Sequence, residues 1–177
     1  TLLLQGLWGW SPLAAGFGVV AGPSLAAIMG GPVGSIADKV GHRTLVTIGG
    51  ISGTLSISWL LLTVGNESNY LVSVLPAHLL LGVGVACSFA TFSSMGLKLV
   101  SANRFATASA TLRTGSSIGF AAGVAIAVTI ASATANRGQL ESFRYAWAFM
   151  ACTFFAGAFF SRIACPSREE LKQASLN

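Results

Sequence analysis

Apolar residues fill this chain in five blocks, each interrupted by a short polar or charged stretch. The blocks run over Leu13–Ala37, Thr44–Val64, Tyr70–Leu97, Phe105–Thr134 and Tyr145–Ile163. A helix needs about 20 predominantly apolar residues to cross ~30 Å of hydrocarbon, and each block is near or above that length. "LLLGVGVACSFATF" is apolar on every side, whereas a membrane β-barrel alternates in segments of roughly ten residues. The pattern therefore predicts an all-α integral membrane protein with five spans. The opening "TLLLQ" reads as the end of a sixth helix, and a start on Thr1 rather than Met predicts a fragment of a longer protein.

Composition agrees. The 177 residues are 53% hydrophobic and 8% charged, with a mean hydropathy of +0.73. Soluble domains carry about 25% charged residues to wet their surface. The lipid bilayer is thus the expected solvent. The net charge of +5 does not imply nucleic acid, because the basic residues stand at span ends, where membrane topology uses them. "TLLLQGLWGW" has neither the basic start nor the small-residue cleavage site of a signal peptide. No cysteine or histidine spacing suggests a metal site, and the three cysteines suggest no disulfide framework.

Charge also orients the spans. Lys39 and Arg43 fall in one connection, Lys98 and Arg104 in another, and Arg168 and Lys172 in the tail. Lys and Arg accumulate on the cytoplasmic side, which places 38–43, 98–104 and the tail 164–177 inside and 65–69 outside. Alternation then carries 135–144 outside despite Arg137 and Arg144. Trp8, Trp10, Tyr70, Tyr145 and Trp147 fall at the outer ends, where amphipathic rings favour the headgroup layer.

Every fourth residue of the fourth block is small: Thr107, Thr111, Gly115, Gly119, Gly123, Ala127 and Ala131. Lipid gives helices no hydrophobic drive to associate, so close approach through small residues takes its place. Gly115, Gly119 and Gly123 are the expected packing positions, and Gly30/Gly34 and Gly49/Gly53 repeat the spacing. Gly22–Pro23 predicts a kink in the first span. Pro76, with Gly82 and Gly84, marks the third as an interrupted helix of the kind that lines transporter cavities.

The segment Gly34-Ser-Ile-Ala-Asp38-Lys39-Val-Gly41-His42-Arg43 matches G-x-x-x-D-(R/K)-x-G-x-(R/K) at five positions, on the inner side. It resembles the cytoplasmic signature loop of the major facilitator superfamily. "QGLWGWSPLAAG", through Gln5, Gly9, Ser11, Pro12, Ala15 and Gly16, resembles the fourteen-helix drug/proton antiporter branch, as does "GFAAGVAI" at Gly119–Ile126. That branch usually carries an Arg three residues before the later stretch. Here that position is Ser116, and Arg113 lies one turn earlier.

The resemblance implies a C-terminal transmembrane helix bundle of a major facilitator fold. The first, third and fourth spans would border the cavity, and the second and fifth would lie outside. It implies a multidrug-type exporter of small molecules by proton antiport, with the proton gradient as energy source and no cofactor. The partner would be the missing N-terminal half of the same transporter. Gly34, Asp38, Lys39, Gly41 and Arg43 would form a conformational latch, with Asp38 facing the helix start at Asn103–Phe105. Asp38 at its own helix's C-terminus opposes the dipole and gains by facing another helix's N-terminus. The expected location is a cell membrane, the bacterial inner membrane before the fungal plasma membrane. The competing readings are a facilitator for an endogenous metabolite or siderophore, and a non-transporting membrane remnant or scaffold.

Two ionisable groups lie well inside the spans, His78 and Arg113. Such groups are costly in lipid and are candidates for a substrate or proton pathway. The structural alternatives are a neutral, hydrogen-bonded His78 and an Arg113 that snorkels to the inner surface. No Asp or Glu falls in any span, so a coupling carboxylate would belong to another part of the transporter. The chain has no phosphate-binding loop and no catalytic constellation, so no enzyme is expected.

Overall fold

A computed structural model describes residues 2–98 and 104–164. The short helix α1 (Leu2–Gly6) leads into α2 (Pro12–Val40) and α3 (His42–Thr63). A π-helical turn, Tyr70–Val74, opens α4 (Leu75–Lys98). Then come α5 (Phe105–Ala133), a 3-10 turn (Ala135–Arg137) and α6 (Gln139–Ala164). Five of these helices are long and apolar enough to cross a membrane, as the block pattern predicts. The side chains of Asp38, Ala90 and residues 92–98 lie outside the described ones.

Helix starts follow from local chemistry. Ser11 caps α2, its Oγ accepting from the Ala14 N–H at 3.3 Å, and Pro12 occupies the first turn, where its missing N–H costs nothing. Gly9 takes φ 66° in the reversal from α1 into α2, a conformation that disfavours a side chain. The last span begins at Gln139 rather than Tyr145. Its first turns are polar, and Arg144 pairs with Glu141 three residues earlier at 3.3 Å, so the helix extends past its apolar part.

α2 runs as one helix through both Pro23 and Pro32. Gly22 serves a close contact. A Cβ there would lie 2.9 Å from the His78 carbonyl oxygen, and one on Gly82 would lie 2.5 Å from that of Gly22. The α2 and α4 backbones thus touch, and the buried stripe of α2 (Ala15, Gly18, Gly22, Val33, Ala37) is the face that meets α4.

α3 is the centre of the bundle, packed between α4 and α6. Gly49 and Gly53 meet Gly84 of α4, where a Cβ on Gly84 would stand 2.9 Å from the Gly49 carbonyl oxygen. Serines reinforce that crossing: Ser52 Oγ donates to Leu80 O and Ser56 Oγ to Ala77 O, both at 2.7 Å. On the opposite side, Gly50 packs on Ala158 and Gly53 on Phe154, and the Thr47 and Ser161 hydroxyls share a hydrogen bond of 3.1 Å. Interhelical hydrogen bonds in lipid contribute about 0.6 kcal/mol each. Close packing at the glycines therefore carries most of the association.

Two apolar clusters mark the ends. Leu4, Ala15, Ile57, Leu60, Val64, Val74, Ala77 and Trp147 form one. Val33, Ala37, Leu45, Ala86 and Cys87 form the other, beside the α2–α3 turn. The 65–69 connection and the α5–α6 connection share the first end, as the alternation requires. Trp147 is not a headgroup anchor there; it is buried, stacked on Phe143 at 5.9 Å.

α5 differs from the rest. Among the described residues none on α5 is buried, and a Cβ added at Gly115, Gly119 or Gly123 would meet nothing within 4 Å. The glycines of the small-residue ridge therefore meet no other described helix, whereas Ala127 and Ala131 farther along it are half-buried. Gly30 and Gly34 likewise face open space.

Candidate functional site

The signature loop is a turn of one residue. α2 ends at Val40, α3 begins at His42, and Gly41 between them has φ 98°. Side chains rarely adopt that conformation, which gives the Gly41 match a physical reason. The Gly41 N–H closes α2 by donating to Ala37 O at 3.0 Å. Lys39, in the last turn of α2, carries the charge that a helix C-terminus favours.

Arg43 stands in the first turn of α3, one turn before Thr47, whose hydroxyl meets Ser161 of α6, and its half-buried side chain has a buried Nε with no hydrogen-bond partner among the described residues. The Asp38 side chain and Asn103 lie outside the described residues, and so does the expected contact between Asp38 and the start of α5.

His78 sits on the α2–α4 seam at Gly22, half-buried, its Nδ1 3.0 Å from Val74 O. Arg113 is exposed on α5. His78 lies 20 residues from the inner end of α4 and Arg113 8 from that of α5, about 18 Å apart in depth at 1.5 Å per residue. The structure does not bring the two together. At 29 residues, α5 is ~43 Å long against ~30 Å of hydrocarbon, which leaves Arg113 within reach of the surface.

The end of the bundle that carries the 65–69 connection is more organised than its sequence suggests. Trp8 Nε1 donates to Gly65 O and Trp10 Nε1 to Ser68 Oγ, both at 3.2 Å. The Tyr70 hydroxyl donates to Gly18 O at 2.7 Å, with its ring 5.4 Å from that of Trp10. The aromatic residues expected at the interface thus also tie the α1–α2 corner to the α3–α4 connection. Arg137 donates to the Tyr145 hydroxyl at 2.9 Å and lies 5.5 Å from its ring centre. Among the described residues no group of three His, Cys, Asp or Glu could hold a metal ion.

Sequence reasoning missed the side chains that join helices through carbonyls: Ser52, Ser56, Trp59 and Ser73. A signal was present, because Ser52 and Ser56 repeat at helical spacing beside Gly49 and Gly53.

A sequence profile described as the Major Facilitator Superfamily matches residues 1–176. This chain belongs to that superfamily. Its members are membrane transporters, and a multi-pass bundle of long apolar helices is the architecture such a match requires. No curated protein and no solved structure matches the chain.

Proposed function

We propose that this chain is the C-terminal bundle of a proton-coupled exporter of small, multidrug-type molecules in a bacterial inner membrane. The observation that carries the reading is the run Gln5–Gly16, "QGLWGWSPLAAG", with the signature at Gly34–Arg43. The unpartnered ridge of α5 supports it. A transporter half presents such a face to its other half, and small residues let two bundles approach and rock. α4 packs against both α2 and α5, and in this reading the three line the central path.

In this reading Gly34, Asp38, Lys39, Gly41 and Arg43 close the inner side in one state, and opening is a two-state event of the alternating-access kind. His78 and Arg113 are the ionisable groups available to substrate or proton. The coupling carboxylate resides in the other half, since no span here contains one.

The test is transport of a fluorescent lipophilic cation into everted vesicles carrying the intact transporter. Uptake that requires the proton gradient and stops on adding a protonophore is expected. Gradient-independent equilibration of the dye, or none above empty vesicles, overturns the reading.

A further inference from the structure

The first half of α5 lacks the composition of a helix that faces lipid. From Ala106 to Ser117 it reads "ATASATLRTGSS", in which Leu112 is the only large apolar side chain. Seven of those twelve residues are Ser, Thr or Arg. None of the twelve is buried, and from Ser109 to Ser117 every one is exposed. Gly123, Ala127, Ile130 and Ala131, farther along, are half-buried. A charged and hydroxyl-rich face inside a span borders water or other protein rather than acyl chains.

Arg113 carries the charge of that face. Ser109, Ser116 and Ser117 stand one turn to either side of it, at the spacing that makes neighbours on a helix surface. Not every hydroxyl is available as a donor. Ser116 Oγ donates back to Leu112 O at 2.8 Å, and Thr111 Oγ1 to Thr107 O at 3.0 Å. Ser109, Ser117 and Arg113 make no hydrogen bond or ion pair among the described residues. The face therefore offers a guanidinium fork flanked by two O–H donors. A cation has no use for donors; an anion has. A carboxylate in particular matches the fork with two parallel bonds. Among the described acidic side chains, Glu67 and Glu141 both belong to the other end of the bundle. Asp38 is in the last turn of α2, and its side chain is outside the described residues. Arg113 lies about 12 Å along the axis from the start of α5, at 1.5 Å per residue, near the mouth of the helix row rather than its middle.

We infer that Arg113, with Ser109 and Ser117, selects for a carboxylate on the transported molecule. The inference rests on the exporter reading above and narrows it. Amphiphiles that carry an acid beside their apolar rings are held better than the same molecules without one. In the orientation of that reading, the contact is met as a molecule loads from the cytoplasm.

Everted vesicles carrying the intact transporter test this with two probes, a rhodamine bearing a free carboxylate and the methyl ester of the same dye. The unchanged transporter should show a KM for the acid at least fivefold below that for the ester. R113Q should raise the KM of the acid at least fivefold and leave that of the ester within twofold. If R113Q does not reach the membrane, the ratio in the unchanged transporter decides alone. Equal KM values for acid and ester overturn the site. So does an R113Q effect of the same size on both dyes, the result expected of a guanidinium held by lipid phosphate. Uptake of the ester with none of the acid overturns the site and leaves the exporter reading standing. Uptake of neither dye overturns the exporter reading and the site with it.

Discussion

The indole N–H of Trp59 donates to the carbonyl oxygen of Val72 at 2.9 Å. Val72 stands four residues before Pro76, which has no N–H to give that carbonyl. A side chain from α3 therefore supplies the bond that proline withholds from α4. Next to it, Leu75 N–H reaches back five residues to Tyr70 O, the π turn that admits the proline, and Ser73 Oγ donates to Thr63 O at 2.9 Å.

Trp59→Phe is expected to lower stability by about 1 kcal/mol, the net worth of one hydrogen bond. Adding Pro76→Ala restores a donor to Val72 O, so the double variant should recover most of the loss. Thermal unfolding of the four proteins in detergent measures this coupling. Additive losses would mean that the indole bond does not compensate the proline.

Glycines separate folding from transport. Gly84→Leu drives a side chain into the Gly49 and Gly53 backbone, and its overpacking cost should exceed the typical 1–3 kcal/mol because no side chain can yield. Gly119→Leu meets open space in this chain and should accumulate in the membrane at the normal level. In the intact transporter the same change should cut transport at least tenfold, by blocking approach of the other half. Immunoblotting and dye efflux on the two variants distinguish these outcomes. Normal efflux by Gly119→Leu would remove the α5 ridge from the transport mechanism.

Asp38→Asn preserves shape and removes charge. The intact transporter carrying it should reach the membrane unchanged and lose at least nine-tenths of its export. Efflux at the original rate would end the latch reading.

Sidedness is open to direct measurement in a cysteine-free background. Cysteine at Ser68 or Arg137 should react with an impermeant maleimide added to intact cells, and cysteine at Lys39 only after lysis. Labelling at position 39 from outside would invert the arrangement.

Most of the fold was legible because lipid imposes one strong rule, that backbone groups be satisfied within apolar helices. Leu13–Ala37 and Phe105–Thr134 fall within a few residues of the helices observed. The start of α6 is hard to read because its first turns are polar like a connection, although Glu141 suits a helix N-terminus and pairs with Arg144. Partners were harder to read than elements. Gly49/Gly53 and Gly115/Gly119/Gly123 look alike in sequence, yet the first pair is closed by Gly84 and the second set by nothing among the described residues. Spacing says that a face can be approached closely but not by what. Gly22 illustrates the same ambiguity, since the glycine that suggested a kink serves a backbone crossing at His78. The candidate site was legible as a motif and only partly as geometry, for Gly41 has its reason in the turn while the Asp38 side chain lies outside the described residues.

The turn at Gly41 leaves no spare length between α2 and α3. A swing of one rod must pull on the next within a single peptide unit, with no slack to absorb it. Movement of α2 is thereby handed to α3, the helix at the centre of this bundle, and lengthening the joint by even two or three residues would uncouple them.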